Sequence, residues 1–214
     1  MTFSIVARCA ETGRLGVATA TGSIAVGARC PFAAAGVGAA VTQNRTLPLI
    51  GPKALDCLRA GMSPADAAAA AARSFPFPEW RQVAVVDAQG AVGAFAGERC
   101  SGINAIVLGE GAVALGNLLQ DPAVPAAMLD GFAAGAGLLE ERLLAALDAG
   151  LAAGGEVKPI RSAALLVVDR DPFPCTDLRI DFDELPLGRL RALWRAWRPA
   201  ADTVRSWAVD PYAV

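Results

Sequence analysis

Residues 2–8 read TFSIVAR and residues 15–20 read LGVATA, and this pair of segments decides the fold at the start of the chain. Both segments are apolar and contain β-branched side chains, which favour extended strands. Residues 11–13, Glu-Thr-Gly, lie between them and are typical of a turn. The sequence therefore predicts an antiparallel hairpin.

The pairing within this hairpin determines what lies beside the chain start. If Arg8 faces Leu15, antiparallel geometry keeps the sum of paired residue numbers constant and places Thr2 opposite Thr21. We therefore expect Thr2 and residues 21–23, Thr-Gly-Ser, at the same end of the sheet. Side chains from two different strand ends would then meet there.

The rest of the chain alternates strand pairs with helix pairs. Further strands are predicted at residues 24–28, 36–42, 82–87, 91–97, 105–108, 112–116, 162–169 and 177–183. Helices are predicted from about Gly51, from Ser63, from Asp121, over 138–153, and from about Leu185, where an amphipathic C-terminal helix and tail begin. This order predicts an α+β fold, a four-layer αββα sandwich in which two stacked antiparallel sheets carry helices outside. No linker or repeat divides the chain, so residues 1–214 are expected to form a single domain.

Composition excludes several classes of function. The 214 residues are 54% hydrophobic and 19% charged, with a formal net charge of −2. Nucleic-acid binding requires a basic excess that this chain lacks. No apolar run has the length and bulk of a membrane span. We therefore expect neither nucleic acid nor membrane as a partner.

The chain contains no histidine. Its absence excludes Ser-His-Asp catalysis, Cys-His catalysis and histidine-ligated zinc. The five cysteines form no C-x-x-C pair, which predicts reduced, buried thiols in a cytoplasmic protein rather than metal ligands. Neither a metal nor a cofactor is expected. An enzyme built from this sequence must move protons with another group.

Several segments together resemble a known family. They are TFSIVAR from Thr2, TGRLGVATA from Thr12, AVGARCPFA from Ala25, AGVGAAVTQ from Ala35, GPKALD from Gly51, RQVAVVDAQGAVGAFAG from Arg81, GEGAVALGN from Gly109 and SAALLVV from Ser162. In this order, over nearly the whole chain, they resemble an uncharacterised bacterial family of the N-terminal-nucleophile (Ntn) hydrolase superfamily. The resemblance implies the same αββα fold that the strand and helix pattern predicts.

The resemblance also implies a catalytic device. Enzymes of this superfamily use a Ser, Thr or Cys at the mature N-terminus as nucleophile, and its own α-amine as general base. An α-amine has a pKa of about 7.7–8.0, so it accepts a proton near neutral pH without histidine. Thr2 fits this role once Met1 is removed. A strand residue whose hydroxyl merely caps a sheet edge is the alternative interpretation of Thr2.

Candidate helpers follow from the register and from the resemblance. Thr21 and Ser23 are predicted beside Thr2, where they can bind its hydroxyl or amine. Thr42, Gln43 and Asn44 resemble the place where superfamily members donate hydrogen bonds to an oxyanion, although an ordinary polar turn explains them equally. Asn117 and Arg161 are candidates for orienting a substrate amide or carboxylate, with a buried structural hydrogen bond as the alternative for Asn117. Lys53 is an alternative base if it is desolvated.

Two functions of different classes remain open. The first is an amidohydrolase acting on a small-molecule or peptide-like amide, favoured by the absent histidine and by Thr2. The second is a non-catalytic αββα scaffold with a binding or assembly role, favoured by Leu115 and Arg161, which stand where the family usually has glutamine. A site of carboxylates alone, through Asp87 or Glu98, is a third. The Trp-bearing C-terminal helix predicts a homodimer or higher homo-oligomer.

Overall fold

A computed structural model describes residues 1–212 of the chain. It contains ten strands: β1 (Thr2–Arg8), β2 (Leu15–Thr21), β3 (Pro31–Ala34), β4 (Gly38–Asn44), β5 (Arg81–Asp87), β6 (Val92–Ala96), β7 (Ala105–Gly109), β8 (Ala112–Asn117), β9 (Ser162–Val168) and β10 (Thr176–Ile180). It contains six α-helices: α1 (Ile50–Arg59), α2 (Pro64–Arg73), α3 (Val124–Ala134), α4 (Leu139–Ala152), α5 (Pro186–Trp197) and α6 (Ala201–Val209). None of the helices within residues 1–212 combines the length and the apolar character that crossing a membrane demands.

The strands form two antiparallel sheets. One sheet has six strands in the order β10-β9-β2-β1-β8-β7, and the other has four in the order β3-β4-β5-β6. Apolar side chains of both sheets meet in one buried cluster, so the sheets pack face to face. The predicted α+β fold with two stacked antiparallel sheets is therefore confirmed.

Helices cover the outer face of each sheet. The four-stranded sheet packs against α1 and α2 through a cluster that includes Ile50, Ala68 and Val85. The six-stranded sheet packs against α3, α4 and α5 through a larger cluster that includes Phe3 and Leu147. Because β1 and β2 lie in the middle of the six-stranded sheet, they are buried on both faces, which explains their nearly continuous apolar sequence.

The predicted register of the first hairpin is confirmed. Arg8 pairs with Leu15 and Phe3 pairs with Ala20, so the chain start lies beside the end of β2. The N-cap predicted at Ser63 is also present, because its hydroxyl accepts a hydrogen bond from the Asp66 backbone N–H at 3.2 Å.

The predicted strand at 24–28 is wrong. Ala25 has a left-handed backbone (φ 55°), and residues Val26–Ala28 form a single 3₁₀ turn, so the next strand starts only at Pro31. The turn is held from outside its own sequence, since the Val26 N–H donates to the Ser162 hydroxyl at 3.1 Å. Gly27 lies so close to Arg179 that a Cβ there would be 2.4 Å from the Arg179 Cδ. These long-range contacts override the local strand preference.

The C-terminal region also differs from the prediction. The amphipathic helix begins as predicted and buries Leu187, Leu190 and Trp194, but it ends at Trp197. Pro199 lacks an N–H and stops it. Part of the predicted tail then forms α6, which buries none of its residues.

Candidate functional site

The space between the two sheets is apolar at one end and polar at the other. Strand alternation places every second residue in this space. At one end these inward positions are apolar and contact one another, namely Val6, Val17, Val41, Ala84, Val86 and Val113, and we call this the apolar end. At the other end the same strands, together with β9, carry buried polar side chains, namely Thr2, Ser4, Thr19, Thr21, Gln43, Gln82, Asn117 and Ser162, and we call this the polar end. The site is thus assembled from six strands of both sheets.

A chain of hydrogen bonds joins the two sheets at the polar end. The Ser4 hydroxyl lies 2.7 Å from both the Thr19 hydroxyl and the Gln43 Oε1. The Gln43 amide donates to the Gln82 Oε1 at 2.7 Å, and the Asn117 amide donates to the same oxygen at 3.1 Å. Since buried amides are costly unless they are paired, this chain holds each side chain in one orientation.

Thr2 lies at the outer edge of this network. It is 5% exposed and pairs with Asn117 across β1 and β8. Its hydroxyl oxygen is 3.4 Å from that of Thr21, and its carbonyl oxygen is 3.4 Å from the Gln43 Nε2. The Thr2 and Thr21 hydroxyls both donate to the Met1 carbonyl. Thr2 therefore has three neighbours that bear a hydroxyl or an amide, namely Thr21, Gln43 and Asn117.

A buried carboxyl group completes the site. Glu156 follows α4, is 6% exposed, and accepts the Gly22 backbone N–H at Oε1. Its Oε2 is buried and has no hydrogen-bond partner among residues 1–212. Burial raises the pKa of Glu156 to about 7, although the Met1 ammonium, the Gly22 N–H and Lys158 act in the opposite direction.

The amino group of Met1 is also affected by burial and by the charge of Glu156. Burial lowers the pKa of this ammonium below its usual value of 8.0, and the negative charge of Glu156 offsets part of that effect. A lowered pKa increases the fraction of neutral amine near pH 7. Neutral amine is the form that accepts a proton.

Backbone strain concentrates around the polar end. Asn44 ends β4 with φ 71°, and Leu118 follows β8 with φ 50°. Each of these left-handed residues costs of the order of 1 kcal/mol unless the surroundings impose it. Leu118 is held on both sides, because its N–H donates to Ser101 and its carbonyl accepts from Val157. Strained residues of this kind are frequent at functional sites.

The structure brings together four of the residues that the sequence predicted. Thr2, Thr21, Gln43 and Asn117 are all buried and all face the space between the sheets. Two lie on neighbouring strands of the same hairpin, and the others come from β4 and β8. Their proximity therefore depends on both sheets.

The other four predicted residues lie around this group without joining it. Ser23 is exposed and contributes backbone contacts, since its N–H donates to the Thr21 hydroxyl at 3.2 Å. Thr42 faces away, because alternation places it on the outer face of β4 beneath α1. The Asn44 side chain donates to the Trp80 carbonyl at 2.6 Å and accepts from the Ser101 N–H at 3.3 Å, so it connects loops. Arg161 is partly exposed, with its Nη1 3.8 Å from Glu184.

The sequence interpretation missed five buried polar residues of the site. Ser4, Thr19, Gln82 and Ser162 each follow the alternation of a predicted strand, so a count of inward polar positions per strand indicates them. Glu156 lies in the loop after α4, where no periodicity applies, and only the folded chain brings it to Gly22.

Hydroxyl, amide and carboxyl groups are what this site offers to a ligand. Residues 1–212 contain no group of three or more cysteine, aspartate or glutamate side chains placed to hold a metal ion. Cys30 is buried, and burial raises the pKa of its thiol to about 11. A neutral thiol is a poor nucleophile. Thr2 and Thr21 are the hydroxyl groups at the edge of the site.

Fold and site together define an α+β protein of two face-to-face antiparallel sheets with a buried polar site at the end of its central strands. The chain belongs to the family of unknown function DUF1028, whose family model matches residues 2–190. The crystal structure of protein SPO2555 from Silicibacter pomeroyi, also of DUF1028, is similar, with 36% sequence identity and a TM-score of 0.84. The similarity covers 91% of this chain and 88% of that one. No curated protein matches the chain. The matched region ends within α5, so α6 lies outside the family model.

Proposed function

We propose that the protein is an Ntn-type amidohydrolase that cleaves a small amide or peptide-like bond, with Thr2 as nucleophile after removal of Met1. The observation that supports this most is the position of Thr2. It is the first residue of a central strand, faces the space between two antiparallel sheets, and lies against Thr21, Gln43 and Asn117. An N-terminal nucleophile requires a hydroxyl and a free amine at such an edge.

The reaction uses groups of Thr2 itself. The Thr2 hydroxyl oxygen forms a bond to the substrate carbonyl carbon, and its proton passes to the Thr2 α-amine. The ammonium then gives this proton to the leaving nitrogen, the C–N bond breaks, and an ester to Thr2 remains. Water attacks the ester with the amine as base, which releases the acid and restores the hydroxyl.

Three neighbouring side chains would serve this chemistry. The Asn117 Oδ1 is buried without a partner beside Thr2, so it can accept a hydrogen bond from the α-ammonium. The Thr21 hydroxyl, 3.4 Å from that of Thr2, can orient the nucleophile. The Gln43 Nε2 donates to the Gln82 Oε1 and lies 3.4 Å from the Thr2 carbonyl, so it can fix the backbone of the nucleophile.

A non-catalytic scaffold is the second candidate, and one observation favours it. With Met1 attached, the Thr2 nitrogen is an amide that cannot act as a base. The Met1 carbonyl also accepts hydrogen bonds from both the Thr2 and Thr21 hydroxyls. A protein that keeps Met1 would retain an inert chain start in which the Thr2 and Thr21 hydroxyls are both hydrogen-bonded.

The experiment that separates these candidates begins with the intact mass of the protein expressed without an N-terminal tag. Loss of one methionine is expected. Hydrolysis of a panel of aryl amides is then compared for the wild type, Thr2→Ala and Thr2→Ser. We expect Thr2→Ala to reduce kcat by at least about 1,000-fold, and Thr2→Ser to retain activity.

The control is Thr12→Ala, which removes an exposed threonine at the other end of the same hairpin and should leave turnover unchanged. Full retention of Met1, or equal turnover by Thr2→Ala and the wild type, would contradict the hydrolase and leave the scaffold.

We also propose that the protein forms a homodimer or higher homo-oligomer. The exposed aromatic side chains Trp207 and Tyr212, 60% and 90% accessible, support this proposal because large exposed apolar groups often mark contact surfaces. Light scattering that gives the mass of a monomer at micromolar concentration would contradict it.

A further inference from the structure

The position of Met1 shows how an aminoacyl group fits the site. Met1 is partly buried, and its carbonyl oxygen accepts hydrogen bonds from the Thr2 and Thr21 hydroxyls. Among the charges that act on its ammonium, Glu156 has the largest effect and is attractive. Arg45 and Arg29 oppose it. The carbonyl of an aminoacyl group thus contacts the two hydroxyls while its ammonium lies in the field of Glu156.

Glu156 is held as a fixed binding group. Its Oε1 accepts the Gly22 N–H, and the residues on both sides of it are tied to the segment after β8. The Gly155 carbonyl accepts from the Gln120 N–H at 3.1 Å, and the Val157 N–H donates to the Leu118 carbonyl at 3.0 Å. The carboxyl group therefore cannot move out into solvent without breaking these contacts.

The second oxygen of Glu156 is left for a ligand. Glu156 is only 6% exposed, and its Oε2 has no partner among residues 1–212. A buried carboxylate without a counter-charge is strongly unfavourable. In the unprocessed chain the Met1 ammonium supplies a nearby positive charge without forming an ion pair. Removal of Met1 moves the N-terminal amine to Thr2 and leaves a space one residue long next to it, where the Met1 ammonium had been in the field of Glu156.

We propose that this space is the acyl subsite of the enzyme and that Glu156 binds the free α-ammonium of the substrate. The inference rests on the proposed function and assigns its substrates to amides of amino acids, or peptides with a free amino terminus. The aminoacyl group is transferred to the Thr2 hydroxyl and then to water, as in the mechanism above. A free substrate is not bonded to the Thr2 nitrogen, so its ammonium can approach the unpartnered Oε2 more closely than that of Met1.

A competing role for Glu156 is to position the α-ammonium of Thr2 itself. The two roles differ in which substrates depend on the carboxylate. A group that binds the substrate ammonium affects only substrates that carry one. A group that positions the nucleophile affects every substrate equally.

The experiment uses the full chain, with Thr2 confirmed as the first residue by intact mass. Methionine p-nitroanilide is compared with its N-acetylated form, which lacks the positive charge. For the wild type we expect N-acetylation to lower kcat/KM by about 100-fold, the size of effect seen when one partner of a buried charge pair is removed. Glu156→Gln should lower kcat/KM for the free amine by a similar factor and leave the acetylated substrate unchanged.

A matched control is available in Glu140. Glu140 is 1% exposed, and it too has one buried carboxylate oxygen without a partner among residues 1–212, but it accepts from Thr176 beneath α5. Glu140→Gln should keep the wild-type preference for the free amine even if it lowers stability. Equal turnover of both substrates by the wild type would overturn the proposal, as would an equal loss on both substrates in Glu156→Gln.

A second measurement separates failure of the ammonium site from failure of the hydrolase proposal. If the wild type cleaves neither substrate, calorimetry with methioninamide and N-acetylmethioninamide still tests the subsite. Binding of methioninamide alone, lost in Glu156→Gln, would support the ammonium site in a protein that is not a hydrolase. Absence of binding to both compounds would overturn it.

Discussion

The two ends of the space between the sheets are built from the same strands and are equally buried, yet they differ in chemistry. At the apolar end, Val6, Val17 and Val113 pack against one another. At the polar end, the same three strands contribute Thr2, Thr21 and Asn117. These residues lie on the same strands, so the difference in chemistry comes from their side chains. The apolar end holds the sheets together, whereas the polar end contains groups that can act chemically and that lower the free energy of unfolding.

The two ends also differ in how completely their atoms are satisfied. Apolar contacts at one end require no specific partner. At the polar end most groups are paired, but the Asn117 Oδ1 and the Glu156 Oε2 are buried without a partner among residues 1–212. Such atoms lower the free energy of unfolding unless a ligand supplies what they lack. Functional sites are where proteins accept costs of this kind.

The largest expected effect comes from introducing a polar group at the apolar end. Val113 lies on β8, four residues before Asn117 and on the same face. Val113→Asn buries an amide where the surrounding side chains offer no partner. We expect the free energy of unfolding to fall by about 3 kcal/mol, measured by urea denaturation. Val113→Ala, which removes two methyl groups without adding an amide, is the control. A loss no greater than that of Val113→Ala would show that the apolar end tolerates polar groups.

The next effect is a pH dependence of stability that originates at the polar end. The pKa of Glu156 is raised from 4.5 to about 7, so the folded chain keeps a proton that the unfolded chain releases between these values. The free energy of unfolding therefore falls as pH rises through this window, by up to about 3 kcal/mol. Glu156→Gln should be more stable than the wild type at pH 8 and equal to it at pH 4.

Urea denaturation of both proteins at several pH values measures this difference. The exposed Glu110→Gln variant is the control for loss of one carboxylate. A difference between the wild type and Glu156→Gln that stays constant with pH would mean that the carboxyl group ionises in the folded chain as it does in water.

The smallest expected effect on stability is the reverse substitution, an apolar residue at the polar end. In Asn117→Leu the Gln82 Oε1 keeps its bond to the Gln43 amide, and the unpartnered Asn117 Oδ1 disappears. We expect the free energy of unfolding to change by less than about 1 kcal/mol. Amide hydrolysis should fall by about 100-fold if Asn117 holds the Thr2 amine. A loss of stability as large as that of Val113→Asn would instead identify the polar end as structural.

The hairpin register shows how far a sequence can predict a site. Arg8 opposite Leu15 follows from a short turn, and the position of Thr2 beside Thr21 follows from antiparallel pairing alone. Local sequence is enough to predict this pairing because the two strands are consecutive in the chain. The segment at 24–28 shows the opposite case, because contacts of Val26 and Gly27 with distant strands decide its conformation.

Residues of the polar end also differ in whether the sequence alone can identify them. Gln43 and Asn117 were identified by their place after strand-like segments, although nothing in the sequence brings them together. Thr42 was grouped with Gln43, yet alternation directs neighbouring residues to opposite faces of β4, so only one of the two faces the site. Gln82 could have been found by pairing β5 with β4, in which it lies directly opposite Gln43.

The α+β fold with two antiparallel sheets, the register of the first hairpin and the absence of histidine chemistry all follow from the sequence. These depend on local periodicity, turn residues and composition, which act over a few residues. Only the tertiary structure decided that six strands turn polar at one shared end, and that the loop carboxyl of Glu156 reaches Gly22 with one oxygen unpartnered. Whether a polar group is buried and hydrogen-bonded depends on distant parts of the chain, so a local sequence pattern does not predict it.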